Sequence, residues 1–226
     1  MLHFIGKLPR QCRVACSGGV DSMAVLSFLK MGKGAVGAAY FNHGTEHSER
    51  AEKFVKEYCE QANVHLRIGR VTRKKFAHES WEEYWRNERY GFLHSIDGPV
   101  VTAHNLNDCM ETWIFSALHG EPKLIPYARQ NVIRPFMITT KDEFKAWCER
   151  KKVPWLDDPS NDDVHYSRNR IRHNIMPEAL KINPGLAKVI KKKLVDGCDS
   201  LFRSYSYVDG PQSSHLQNAT NQRGVV

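Results

Sequence analysis

The sequence predicts an α/β protein, a parallel sheet with helices on both faces, and three observations carry that expectation. Apolar, strand-like runs alternate with helix-like stretches along most of the 226 residues, the pattern of a parallel sheet covered on both sides. The first run leads through Ser17-Gly18-Gly19-Val20-Asp21-Ser22 straight into a helical pattern, which reads as strand, glycine turn, helix N-terminus. Each chemically suggestive patch follows a strand-like run: the glycine loop, Asn42-His43 and His104-Asn105. Ligands of such sheets bind beyond the C-terminal strand ends, where strand order reverses, so one rule gathers three distant segments into one crevice.

Val14, Ala15 and Cys16 read as the first strand, and Met23 to Leu29 as the first helix. Residues 35–41 are a second buried strand. Residues 48–61 are a helix, with Ser48 as candidate N-cap and Ala51, Phe54, Val55 and Tyr58 on one face. Residues 64–71 alternate as a third strand would. Residues 80–93 are helical, and the spacing of Trp81, Tyr84, Trp85 and Phe92 assigns them to an apolar stripe. That places Trp81 and Trp85, like Trp113, in the core rather than on a base-stacking platform. Residues 99–103 form a fourth strand, and 107–118 a helix turning Met110, Ile114, Phe115 and Leu118 inward. Residues 132–136 are a short extended piece. Residues 140–151 are a helix opening on a capping box of Thr140 and Glu143. An acidic loop follows over 157–163, then a basic helix over 168–176 and an amphipathic helix over 184–202. Lys191, Lys192 and Lys193 on the latter form a solvated face or an RNA contact. Beyond Ser204 the polar composition predicts disorder.

The formal net charge of +8 favours an anionic partner only slightly. No apolar run is long enough to span a membrane, and Met1-Leu2-His3-Phe4-Ile5-Gly6-Lys7 lacks the plan of a signal peptide. The six cysteines form no Cys-x-x-Cys pair and no zinc spacing. They read as reduced thiols of a cytoplasmic protein.

The glycine loop carries the chemistry. Adjacent glycines permit a sharp turn and close ligand approach, and the following helix start offers unpaired N–H groups and partial positive charge. Phosphate fits there. Ser17 and Ser22 add hydroxyls, and Asp21 is placed to hold Mg2+ against phosphate oxygens. The competing reading is an ordinary turn with Asp21 or Ser22 capping the helix. No Gly-Lys-Ser/Thr follows, so this is not a Walker loop, and the third glycine of the dinucleotide fingerprint is missing.

The loop resembles that of the PP-loop, or N-type, ATP pyrophosphatases, and most of the chain resembles bacterial tRNA(Ile)-lysidine synthetase. The matching segments are Ser17 to Ser22, Asn42-His43-Gly44, Glu88-Arg89-Tyr90, Thr102-Ala103-His104 through Glu111-Thr112, and Val132-Ile133-Arg134-Pro135. They continue with Pro154-Trp155, Asp158-Pro159-Ser160-Asn161 and Arg168-Asn169-Arg170-Ile171-Arg172-His173. The last two are the most specific. The resemblance implies a Rossmann-like, adenine nucleotide alpha hydrolase-like fold. It implies a PP-loop ATP-binding domain over 1–135 and a helical C-terminal part of the same catalytic unit over 136–204, with 205–226 as a disordered tail. It implies the use of ATP and Mg2+ to join free L-lysine to C2 of the wobble cytidine of a CAU-anticodon tRNA(Ile), with AMP and pyrophosphate released.

The same resemblance distributes roles. Ser17, Gly18, Gly19, Val20, Asp21 and Ser22 would hold the phosphates, with Phe41, Asn42, His43 and Arg134 as further ATP contacts. Asp21 and Asp108 would share Mg2+, and Asp21, Asp108 and His104 would be catalytic. Lysine arrives with an ammonium of pKa ~10.4, so a carboxylate or desolvation must help remove its proton. Asp108 is the first candidate, with capping of its helix as the alternative. Glu111, Arg86, Arg89, Arg168, Arg170 and Arg172 would meet substrate. Arg86 and Arg89 read equally as a solvated helix face. Arg168 and Arg172, four apart, share a helix face and would need an anion between them, unless they pair with Asp157, Asp158, Asp162 or Asp163. The chain departs from the family pattern at Asn42 and Asn107, where acids are usual, at Asn105, where a second histidine is usual, and at Cys109. An asparagine cannot act as a base. Two other readings remain. One is a catalytically weakened nucleotide- or tRNA-binding protein, motivated by those asparagines; the other is a PP-loop tRNA sulfurtransferase, which the cysteine pattern disfavours.

Overall fold

The computed structural model describes residues 1–32, 34–157 and 167–206. The segment Asp158-Pro159-Ser160-Asn161, with Asp162 and Asp163, lies outside the described residues, as does the tail expected over 205–226 except residues 205–206, which end the last helix. In chain order the elements are β1 (Gln11–Ala15), α1 (Val20–Lys30), β2 (Ala35–Asn42), α2 (Glu46–Gln61), β3 (Leu66–Arg70) and α3 (Trp81–His94). There follow β4 (Val100–Val101), α4 (Leu106–Leu118), β5 (Ala128–Arg129), β6 (Val132–Ile133) and α5 (Lys141–Lys151). The chain continues through α6 (Ser167–Arg170), a π-helical turn (Ile171–Ile175), α7 (Met176–Ile182) and α8 (Leu186–Ser206).

The strands form one sheet in the order β3-β2-β1-β4-β6-β5. All neighbours run parallel except β5, which closes an antiparallel hairpin on β6. From β1 the chain first builds outward through β2 and β3, then crosses to place β4 on the other side of β1. The strand order therefore reverses between β1 and β4, and the loops after those strands open into the crevice.

Alternation along the strands divides the core between two faces. Val14, Ala38 and Tyr40 face a cluster with α1 and α5, including Met23, Leu26, Phe136, Phe144 and Trp147. Ala39, Val100 and Val132 face the other way, onto Tyr90 and Leu93 of α3. Gly69 on β3 lets α3 approach closely, since a Cβ there would come within 2.4 Å of the Phe92 ring. A third cluster packs Met110 and Ile114 of α4 against Ile171, Met176, Leu186, Ile190 and Leu194.

Several expectations are corrected. Ser48 is not the N-cap of α2: Thr45 is, and Ser48 answers it as the third helical residue, with Thr45 N donating to Ser48 Oγ at 2.8 Å. The apolar stripes were read too wide, because Leu118 is 65% and Trp81 57% exposed. The extended piece expected over 132–136 is only Val132–Ile133, and the basic helix over 168–176 is broken by the π-helical turn.

Candidate active site

The loop between β1 and α1 is held from within. Ser22 Oγ accepts from Ser17 N at 3.1 Å and donates to Gly19 O at 2.9 Å, and it lies 3.2 Å from Ser17 Oγ. Gly18 adopts φ +87°, a left-handed conformation that disfavours other residues. Its carbonyl accepts from Leu156 N at 2.9 Å, which ties the segment after α5 to the loop. Among α1 to α5 the start of α1 is distinctive. Thr45, Ser80, Asn105 and Thr140 each cap their helices with a side chain, whereas Gly19 at the start of α1 has none to offer. Helix starts normally satisfy their N–H groups by such caps, so α1 presents uncapped N–H groups at the switch point. Neither Asp21 nor Ser22 caps the helix, and the alternative of an ordinary capped turn fails on that point.

Acids converge beside the loop. Asp21 projects from the first turn of α1, and Asn105 Nδ2 donates to its Oδ2 at 3.0 Å. Its Oδ1 is buried without a partner. Asn105 also caps α4: its Oδ1 accepts from Asp108 N at 2.9 Å, and its own N–H donates to Asp108 Oδ2 at 3.0 Å. One asparagine thereby fixes both carboxylates. Burial raises Asp21 to about 6, against the opposing influence of Lys141, Asn105 and Arg172. Burial likewise raises Asp108 to about 7, with Glu111 and Asp21 adding repulsion. Among the described residues no cluster of three or more His, Cys, Asp or Glu forms a self-sufficient metal cage. Two carboxylates with a spare buried oxygen suit Mg2+, which takes one or two protein carboxylates and shares the rest with phosphate and water.

Glu111 is almost fully buried and is gripped by Arg172, Nε to Oε1 at 2.7 Å and Nη2 to Oε2 at 3.0 Å. The same guanidinium lies 3.9 Å from Asp108. Arg168 instead approaches Glu82 of α3 at 3.5 Å and Thr112 at 3.5 Å. The two arginines thus serve different carboxylates on different helices. The interrupting π-helical turn removes the simple four-residue relation. Asp157, expected as an alternative partner, instead accepts from Trp155 Nε1 at 3.2 Å. Arg170 is exposed.

Across the crevice a cleft of about 210 Å³ is lined by His43, Glu82, Trp85, Arg86 and Arg89. Burial and the nearby Arg89 push His43 down to about 4, and its Nδ1 is buried without a partner. Burial and then Arg134, Arg89, Arg86 and Arg168 push His104 down to about 3; its Nδ1 is 2.8 Å from Thr102 Oγ1. Both imidazoles are therefore neutral near pH 7 and act as hydrogen-bonding groups rather than cations. Arg134 is buried beneath, donating to Pro126 O and Tyr90 Oη at 3.0 Å each. Burial alone would raise the Tyr90 phenol, but Arg134, Arg89 and Arg86 outweigh it and leave it below its ordinary value.

The structure therefore gathers Asp21, Asp108, Glu111 and Arg172 beside the glycine loop, with His104 under the influence of Arg134, Arg89, Arg86 and Arg168 and with His43, Arg86 and Arg89 lining the cleft. The Asn42 side chain is turned into the protein, donating to Glu49 at 2.9 Å and Glu52 at 2.7 Å while accepting from Ser48. Phe41 is buried beside His43, ring centroids 5.1 Å apart. Sequence reasoning noted Asn105 only as a departure and did not single out Lys141. The signal for Asn105 was available, because an asparagine followed three residues later by an acid is a capping pattern.

A family model described as PP-loop domain matches residues 3–179. The tRNA(Ile)-lysidine synthase of Pseudothermotoga lettingae is 33% identical over 76% of this chain and 42% of its own length. That of Thermosipho africanus is 35% identical over 76% of this chain and 44% of its own. The chain thus spans less than half the length of these curated relatives. A solved structure, the NH3-dependent NAD synthetase from Campylobacter jejuni in complex with the nitrate ion, superposes with TM-score 0.48 and 13% identity over 85% of this chain and 87% of that one. With a match running from before β1 into α7, and with the uncapped glycine loop at the reversal of a parallel sheet, the chain belongs to the PP-loop domain family.

Proposed function

We propose that this protein uses ATP to join free lysine to C2 of the wobble cytidine of a CAU-anticodon isoleucine tRNA, in the cytoplasm, releasing AMP and pyrophosphate. The observation that carries the reading is the uncapped start of α1, with Asp21 on its first turn and Asp108 linked to Asp21 through Asn105, in a chain whose relatives bear the name tRNA(Ile)-lysidine synthase.

The cytosine carbonyl oxygen is a poor leaving group, and adenylation makes it a good one. The loop amides of 18–22 would hold the phosphates and balance charge as pyrophosphate separates. Asp21 and Asp108 would hold Mg2+, which supplies neutralisation of phosphate charge. The lysine ammonium entering this site must lose a proton, and Asp108 is the carboxylate placed to accept it where the metal is held by Asp21 alone. Neutral His104 would offer a hydrogen bond to the base without competing for that proton. Glu111, held by Arg172, supports the site rather than reaching into it. On this reading residues 136–204 complete the unit formed by 1–135.

The sulfurtransferase alternative is disfavoured further. No disulfide joins the six cysteines, all of which are buried, and burial raises the thiols of Cys12, Cys16, Cys59, Cys109 and Cys148, the opposite of an activated thiolate. The weakened-binder alternative is tested directly. Protein, ATP, magnesium, labelled lysine and the CAU-anticodon tRNA are mixed, and label is expected in the RNA. Binding of tRNA without incorporation would overturn the catalytic reading.

A further inference from the structure

We propose that Phe76 and Trp81 form a stacking platform for unpaired bases of an RNA loop, beside the cleft lined by His43, Trp85, Arg86 and Arg89. This deepens the tRNA reading above and rests on it. Phe76 is 55% and Trp81 57% exposed, although helical spacing places Trp81 in a core stripe. Their rings lie on a segment that is firmly built. Arg73 grips the buried Glu79 with two bonds, of 2.8 and 2.7 Å, and reaches Glu88 at 3.0 Å. Glu79 also accepts from Phe76 N at 3.0 Å, and Tyr84 Oη donates to Arg73 O. The Arg73 guanidinium lies 4.6 Å from the Phe76 centroid, and Lys75 Nζ 5.4 Å from that of Trp81. Phe76 also stacks with His78, centroids 5.7 Å apart, so two more-than-half-exposed rings are held in place by ion pairs and ring contacts before a base arrives, which lowers the ordering cost of binding.

The platform is continuous with the cleft. Trp81 lies 5.3 Å from Trp85, and Trp85 5.9 Å from His43, so a line of rings descends from the surface to the end of β2. Cations flank it: Lys74 is exposed at the outer end, and Arg86 and Arg89 line the inner end. Glu82, the acid that lines the cleft, is opposed by Arg168. Exposed aromatics interleaved with cations are the chemistry of single-stranded nucleic-acid grooves, where bases stack and phosphates meet positive charge. A reacting base must leave its own stack to reach a buried centre, and its neighbours then need surfaces to lie on.

The test compares wild-type protein with Phe76→Leu, Trp81→Leu and the double variant, which keep apolar bulk but lack a π-face. Binding of the CAU-anticodon tRNA and of its isolated anticodon stem-loop is measured, with melting temperature as the control for folding. Each single variant is expected to weaken binding about tenfold and the double variant more, while Trp81→Phe restores most of the affinity. Lys74→Ala should reduce the salt slope by about one. If wild-type protein binds and modifies tRNA and the double variant binds within twofold of it, the platform is overturned and the proposed function stands. Loss of self-association in the double variant with unchanged RNA affinity would assign the patch to a second copy of the chain and overturn it as well. If wild-type protein neither binds nor modifies tRNA, the fault lies with the proposed function.

Discussion

At the scale of single residues, the candidate site is where charge is held against its preference. A carboxyl whose folded pKa lies above its ordinary value is destabilised when ionised, and Asp21 at about 6 is in that position. Asp21→Asn is therefore expected to raise the melting temperature by about 3 °C at pH 7.5. The same variant should lose pyrophosphate release by more than a hundredfold, read by melting and by release assay on one preparation. A destabilised variant would contradict the burial argument, and an active one the phosphate-site assignment. The histidines give the opposite sign of pH dependence. His43 and His104 have folded pKa values below the ordinary one, at about 4 and about 3. The unfolded chain thus takes up protons that the fold refuses. Stability from these groups is full above the unfolded value of ~6.5 and falls as pH drops below it. Between pH 6.5 and 5 the loss is about 1 kcal/mol per histidine, allowing for partial exposure. Urea midpoints should show it, and His43→Gln with His104→Gln should flatten that slope; an unchanged slope would refute the neutral assignment.

At the scale of elements, the helices α1 to α5 divide by how they begin. Four starts are satisfied by Thr45, Ser80, Asn105 and Thr140, while α1 leaves its first N–H groups uncapped where β1 and β4 diverge. This difference between otherwise ordinary helices marks the binding end of the sheet. The ion pair between Arg172 and Glu111 does the reverse and closes a contact, joining the π-helical turn to α4. Removing one member of a buried pair strands the other. Arg172→Met should therefore cost about 2–4 kcal/mol in urea unfolding, because Glu111 remains buried. Glu111→Gln, which keeps acceptor and shape, should cost less. Equal effects would mean that the pair adds no more than packing.

At the scale of the whole molecule, the three core clusters are layers around one sheet rather than separate bodies. Phe136, Phe144 and Trp147 belong to the same cluster as Val14 and Met23, and Ile133 packs against both that cluster and the one around α4 and α8. Unfolding is expected as one transition, with tryptophan fluorescence and far-ultraviolet circular dichroism coincident. Separate midpoints would instead divide the C-terminal helices from the sheet, and with them the proposal that 136–204 complete the catalytic unit.

Much of this was legible along the chain because it is local. The alternation of strands and helices, the glycine turn and the capping box at Thr140 each depend on residues within one or two turns of one another, and periodicity and cap chemistry act over that range. What only the tertiary structure decided is how distant groups meet. Asn105 reaches Asp21 across 84 positions and Arg172 reaches Glu111 across 61, and no local pattern encodes either pairing. Helical spacing placed Trp81 on an apolar stripe, yet whether that stripe finds a partner depends on where the neighbouring helices lie. The physical reason is common to all three cases. Burial and desolvation are properties of the surroundings in space, and those surroundings are supplied by segments far away in sequence.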